Sequence, residues 1–233
     1  VPAVSWSTTY YPVTQLGYTL KFVDIDALTL NMNLQQTIDA IDEKTAAIFA
    51  VNLLGNPSHL NELAAAAETY GIPLLEDNCE SMGASVGGKY AGSHGLIGTF
   101  SCFFSHHIST MEGGMCITDD LELAQIMTSL RAHGWTRELP SVNHVWNKTG
   151  DEFDDLFRFV LPGYNLRPLE MSGAIGVQQL RKLPTFIAER RKNDELFQSL
   201  FGNLPHLRLQ SEHGESSWFG FSIILEGPLR GSR

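Results

Sequence analysis

Ile72-Pro73-Leu74-Leu75-Glu76-Asp77-Asn78-Cys79-Glu80 is an apolar run that ends in a group of carboxylates. Consecutive apolar residues fit a strand buried on both faces of a sheet. The exit of such a strand is where ligands bind in open α/β sheets. Upstream, Ala46 to Val51 is a second continuous apolar run. Between the two, Leu53-Leu54-Gly55-Asn56-Pro57 reads as a turn, and Ser58 is placed to cap a helix running through Tyr70. Further upstream, Asn33 precedes Leu34, Ile38 and Ile41 at helical spacing, and Thr19 to Ile25 is a short β-rich run. Downstream, Gly95 to Phe104 and Met115 to Thr118 read as strands around a polar loop, and Asp119-Asp120 starts a helix to Ala132. His133 to Asp155 has no clear period. Glu170 to Lys182 and Thr185 to Phe201 are expected as two helices broken by Pro184. Strands alternating with helices, without an internal repeat, imply an α/β fold with a mainly parallel sheet.

Composition agrees with a packed domain. The 233 residues are 43% apolar and 18% charged, which excludes a disordered chain and allows one large domain or two small ones. Lys and Arg number 16 against 26 Asp and Glu, a net charge of −10. No nucleic-acid partner is expected of such an acidic chain. Apolar runs are only a few residues long, so no membrane partner is expected, and Val1 to Trp6 carries no secretory signal pattern. Cys79, Cys102 and Cys116 lack framework spacing, which fits free thiols in the cytoplasm. The start Val1-Pro2-Ala3 and the finish after Leu225 read as cuts through a longer protein.

Two sites carry chemistry. Asp77 at a strand exit would hold a protonated heterocyclic nitrogen, or it would cap a helix, and the residues alone leave both readings open. The second site is Thr99-Phe100-Ser101-Cys102-Phe103-Phe104-Ser105-His106-His107-Ile108-Ser109-Thr110-Met111-Glu112-Gly113-Gly114. Adjacent residues of an extended strand point to opposite sides, so at most one of His106 and His107 faces a given site. No other His or Cys stands nearby at ligand spacing, and no metal is expected. Glu112-Gly113-Gly114 reads as a tight turn.

Asp77, then a loop, then Phe-Ser-x-x-x-x-His-x-Ile-x-Thr-x-Glu-Gly-Gly resembles the nucleotide-sugar aminotransferase and dehydrase family. Val1-Pro2-Ala3, Phe22-Val23-Asp24-Ile25-Asp26, Gly163-Tyr164-Asn165-Leu166-Arg167 and the helix starting at Glu170 extend the likeness over essentially the whole chain. The resemblance implies a type I, aspartate aminotransferase-like fold that uses pyridoxal or pyridoxamine 5′-phosphate. It implies a cofactor-binding large domain over residues 1–183, and a linking helix with the start of a small C-terminal domain over 184–233. A Gly/Ser-rich phosphate-cradling segment precedes the equivalent of Val1 in relatives, so the chain alone is expected to be inactive.

In the aminotransferases of this family, a lysine six residues before the Glu of Glu-Gly-Gly binds the cofactor covalently. That position here is His106, and none of the six lysines (Lys21, Lys44, Lys89, Lys148, Lys182, Lys192) lies in the loop. An imidazole forms no Schiff base, but it moves protons near neutral pH. The resemblance therefore implies a non-covalently held cofactor, glutamate as amino donor, and 3-dehydration of a nucleotide-linked 4-keto-6-deoxy sugar. Within the family, the chain resembles the branch acting on a GDP-linked sugar in colitose formation. A branch with an iron–sulfur cluster has a cysteine-rich segment that Trp135 to Trp146 lacks, so no iron–sulfur reductase partner is expected. A sugar aminotransferase using another amine such as Lys89, and a non-catalytic member of the fold, are the alternatives.

Carried over residue by residue, the resemblance makes His106 the acid/base and Asp77 the partner of the pyridine nitrogen. Trp6 stacks on the ring, Glu80 meets the ring hydroxyl, and Ser101 contacts the phosphate. Asn165 reaches the phosphate of a partner subunit, which implies a homodimer. Ser105, His133, Arg137 and Arg167 fall on the substrate side, with Arg167 suited to the glutamate carboxylate. His107 is expected to point away from His106.

Overall fold

Residues 1–232 are described by a computed structural model. Two short helices come first, α1 (Tyr11–Gln15) and α2 (Leu34–Asp39). The Asn33 side chain caps α2 by accepting from the Gln36 amide. Then follow β1 (Ile48–Val51), α3 (Leu60–Tyr70), β2 (Leu74–Asp77), the small hairpin β3 (Ser85–Val86) and β4 (Lys89–Tyr90), β5 (Ile97–Ser101) and β6 (Gly114–Ile117). The chain continues through α4 (Leu121–Leu130), α5 (Glu152–Leu156), α6 (Glu170–Phe201), β7 (Leu207–Leu209) and β8 (Ile223–Leu225).

The principal sheet has the order β1-β2-β5-β6. β1, β2 and β5 run parallel, and β6 returns antiparallel to β5. The register sets Val51 beside Asp77 and Asp77 beside Thr99, so β1 and β2 end level and β5 runs two residues further, to Ser101. Leu60, Leu63 and Ala67 of α3 pack on Ile48, Ala50 and Leu74, with Val23 and Met32 closing the same core. Burying these side chains anchors the sheet edge that carries Asp77, at about 1.5–3 kcal/mol per large side chain.

The C-terminal segment packs against this body. Glu215 pairs with Ser85, the Ser217 amide donates to the Gly55 carbonyl, and the Phe219 amide donates to that of Leu54. Gly55 has a φ of 91°, and a Cβ there would come within 2.6 Å of the Trp218 and Phe219 backbone nitrogens. Only glycine lets the two segments approach this closely.

Four readings of the sequence change. Thr19 to Ile25 is not a strand: Val23 and Ile25 make only single bridges, to Pro2 and Met32, because each partner runs alongside for one residue. Ser58 does not cap α3. Its hydroxyl donates to the Val51 carbonyl, and His59 stands at the cap position. Glu170 to Phe201 is one 32-residue helix with Pro184 inside it. Pro184 is on an exposed face, where the carbonyl left without its intrahelical donor meets solvent. The polar stretch after His133 contains the short helix α5, begun by Asp151 accepting from the Asp154 amide. No helix among the described residues is long and apolar enough to cross a membrane.

Candidate active site

Side chains alternate along β2, and this alternation separates its two terminal carboxylates. Glu76 is fully buried and accepts from the amides of Gly92 and Gly95, both at 2.6 Å. It fastens the loop after β4 and is occupied there. Asp77 is half-buried on the other side. One of its oxygens accepts from the Thr9 hydroxyl at 2.8 Å and the other from the Cys79 amide at 3.1 Å. Thr9 ends a single helical turn that follows Trp6, and the Thr9 amide bonds the Trp6 carbonyl. Asp77 thus ties the N-terminal segment to the strand end and leaves lone pairs for a further donor. Trp6 is held within one turn of this carboxylate with 73% of its surface exposed.

Glu80 closes the same corner. It accepts from the Leu54 amide at 2.8 Å, and burial pushes its carboxyl above the usual range, with the charge of Asp77 adding to the effect and the Leu54 hydrogen bond opposing it. Cys79 lies between the two acids. Burial and the Asp77 charge hold its thiol far above its ordinary value, so it is no nucleophile.

Beyond Ser101, the last residue of β5, the chain turns through Phe103 to His106. The Ser101 hydroxyl accepts from the Phe103 amide, and Ser105 Oγ lies 3.5 Å from His106 Nδ1. Gly113 at φ 131° and Gly114 complete the return into β6. His106 is half-buried. Burial lowers its basicity, while a backbone hydrogen bond at Phe103 and the negative charge of Asp77 partly restore it. His107 does turn away: it is buried and bonds the Ser217 carbonyl at 3.1 Å.

Trp6, Asp77, Glu80, Ser101, Ser105 and His106 therefore gather at the strand ends. The other four predicted residues do not join them. His133, Arg137, Asn165 and Arg167 are exposed, and among the described residues none bonds Asp77, Glu80 or His106. Asn165 bridges Ala132, the His133 amide donates to the Tyr164 carbonyl, and the Arg137 guanidinium sits 3.7 Å over the Trp135 ring. Thr9 and Phe219 belong to the site yet carry no sequence signal. Thr9 reaches Asp77 across 68 residues, and Phe219 packs on His106 from the far end of the chain with ring centres 5.2 Å apart.

This arrangement suits a flat, protonated heterocycle. It offers a carboxylate for a ring N–H, an uncovered indole for a ring face, and a second acid beside the first. It also offers an imidazole able to exchange protons, and no lysine among the gathered residues. Cys79, Cys102 and Cys116 are free thiols, and the described residues hold no cluster of three metal-ligating side chains.

The chain is 60% identical over 227 residues to GDP-4-keto-6-deoxy-D-mannose 3-dehydratase of Yersinia pseudotuberculosis, covering 97% of this chain and 58% of that protein. A solved GDP-4-keto-6-deoxymannose-3-dehydratase histidine variant with bound GDP-perosamine superposes with a TM-score of 0.95 at 56% identity, over 97% of this chain and 59% of that one. A structure of that enzyme with a trapped PLP–glutamate geminal diamine matches with the same score, identity and coverage. The chain thus spans a little under three-fifths of the length of these relatives, and its fold is that of the type I PLP-dependent enzymes. Residues 1–230 match one family along nearly their whole length, and the chain belongs to the DegT/DnrJ/EryC1/StrS aminotransferase family.

Proposed function

We propose that the protein containing this chain removes the C3 hydroxyl of a GDP-linked 4-keto-6-deoxy sugar, GDP-4-keto-6-deoxy-D-mannose, as a step toward colitose for lipopolysaccharide O-antigen. The observation that carries this reading is His106, an acid/base without a Schiff-base amine, standing beside Asp77 at the strand ends. Pyridoxamine 5′-phosphate, when bound, supplies an amine for the sugar ketone and a ring that takes up electrons.

The protein's residues hold this group and move protons around it. Asp77 keeps the proton on the pyridine nitrogen, Trp6 covers a ring face, Glu80 meets the ring hydroxyl, and Ser101 binds the phosphate. Asn165 serves the phosphate of a second subunit in a homodimer. His106, neutral at physiological pH because burial lowers its pKa, accepts a proton at the reacting carbon and returns one to the departing hydroxyl. Ser105 orients that imidazole. Arg167 receives the glutamate carboxylate, and His133 and Arg137 face the sugar nucleotide. In net terms, the sugar loses one oxygen and is reduced by two electrons, glutamate is oxidised to 2-oxoglutarate, and ammonia is released.

Residues 1–183 form the large cofactor-binding unit in this reading. Residues 184–233 begin the small one, with α6 spanning the junction and the segment around Ser217 returning to the large unit. Free thiols and the absence of a cluster cysteine set favour a cytoplasmic enzyme that needs no iron–sulfur reductase. The test is turnover of the full-length protein with GDP-4-keto-6-deoxy-D-mannose, glutamate and pyridoxal phosphate. A 3-deoxy product supports the proposal. An amino sugar returns the reading to aminotransferase chemistry.

A further inference from the structure

His107 is a buried titratable group that the reaction above does not use. Its Nε2 is 3.1 Å from the Ser217 carbonyl, which can only accept, so the imidazole donates from Nε2. Nδ1 is then an acceptor, buried and without a partner among the described residues. A ring held in this way is neutral. Burial is the main cause; the Ser217 hydrogen bond opposes it, while the charge of Arg190, and of His106 once it is protonated, adds to it, holding the pKa at about 4.

The carbonyl it grips lies in a strap pinned from several sides. Ser217 N and Ser216 Oγ donate to the Gly55 carbonyl, and Phe219 N donates to that of Leu54. From α6, Arg190 Nη1 donates to the carbonyls of Trp218 and Phe219 at 2.8 and 3.1 Å. What this strap delivers is the Phe219 ring. It lies 5.2 Å from the His106 ring centre at 39°, and 6.1 Å from that of His107 at the same angle. Phe219 therefore shields one side of His106 from water, while Asp77 acts on it electrostatically from β2. Arg190 and Glu189 of α6 line the adjoining cleft.

We propose that His107 and Phe219 are positioning residues for His106: His107 clamps the Ser217 strap to the catalytic loop, and the strap holds Phe219 against the His106 ring. This rests on His106 being the acid/base of the proposed reaction, but the contact itself is independent of turnover. It implies that the C-terminal strap, over a hundred residues away in sequence, sets the orientation and hydration of the catalytic imidazole. A bare apolar ring at that place lowers the basicity of its neighbour by excluding water.

The test uses the full-length protein and its variants Phe219→Ala, His107→Leu and His107→Gln. The readout is the His106 titration, followed by NMR of histidine-labelled protein without cofactor and assigned with His106→Asn. Removing Phe219 or the His107 donor is expected to raise the His106 midpoint by about half to one pH unit. In the active enzyme the same two variants are expected to lose about tenfold in kcat with KM held within twofold. His107→Gln, whose amide still donates to the Ser217 carbonyl, is expected to restore both readouts to within twofold of the parent. An unchanged His106 midpoint in folded Phe219→Ala protein would overturn the proposal, even if His107→Leu fails to fold. A parent without dehydratase activity would count against the proposed reaction, and the titration would still decide the positioning claim.

Discussion

The two halves of the candidate site are built differently. Asp77, Glu80 and His106 stand at the ends of β2 and β5, and the core beneath them is closed by α3. Each acid already accepts from a neighbouring segment, Asp77 from Thr9 and Glu80 from Leu54. His133, Arg137, Asn165 and Arg167 lie instead on an exposed double strand of irregular chain, joined by the bridges of Ala132 to Asn165 and of Trp135 to Phe159. In the first half, the polar groups are fixed before any ligand arrives, as electrostatic preorganisation requires. In the second, the side chains stand exposed, with Arg137 resting over the Trp135 ring. On the function proposed above, chemistry falls to the first half and recognition to the second.

The contrast is broken most severely at His106. His106→Asn in the full-length enzyme is expected to cut kcat by about 10²–10⁴-fold, the usual worth of a general acid/base, with substrate binding retained. Steady-state kinetics check this, and a loss confined to KM would move His106 into the recognition half. Glu76 tests the rigid half without touching chemistry. Glu76→Ala leaves the buried Gly92 amide and the half-buried Gly95 amide without their acceptor, at a cost of up to about 1–3 kcal/mol for each. Urea unfolding should show a loss of about 2–5 kcal/mol, and a loss below 1 kcal/mol would show that the loop relaxes.

The pH dependence follows from His107. Its pKa is lowered from 6.5 to about 4 in the folded protein. The folded state therefore binds this proton less readily than the unfolded chain. The associated stability is complete above about pH 6.5 and is lost as pH falls through about 4, amounting to at most about 3 kcal/mol. Denaturation between pH 7 and 4 should show this slope, and His107→Gln should flatten it. The exposed half answers more weakly. Arg137→Ala removes an exposed cation–π contact of about 0.5–1 kcal/mol, so stability should hardly change while KM for the sugar nucleotide rises. The smallest effect is expected at Glu80. Its carboxyl pKa is raised on folding, so the stability linked to its proton is present at low pH and is lost as pH rises through the folded value. Glu80→Gln keeps an acceptor for the Leu54 amide and should give a slightly higher melting temperature at pH 7, with no gain at pH 4.

The rigid half was also the legible half. Consecutive apolar residues announce β1 and β2, and the carboxylates of Glu76 and Asp77 mark a strand exit on the page of the sequence alone. Which of the two acids faces the site follows from the pleat, once burial assigns Glu76 to the interior. Partners across the fold were not legible. Thr9 and Phe219 are brought in by tertiary packing, for which local spacing holds no trace. Ser58 and Pro184 misled because local preference was overridden: the Ser58 hydroxyl is drawn to the Val51 carbonyl, and α6 runs on through a proline placed on its exposed side. The recognition half showed its residues through family motifs, not through periodicity, because irregular chain has none.

The most direct test of the central claim, that His106 has replaced Schiff-base chemistry at this site with proton transfer, is borohydride treatment of the full-length protein with pyridoxal phosphate, followed by intact mass. The account predicts no covalently trapped cofactor. A protein heavier by one reduced pyridoxyl phosphate group, at Lys89 or any other lysine, would contradict it.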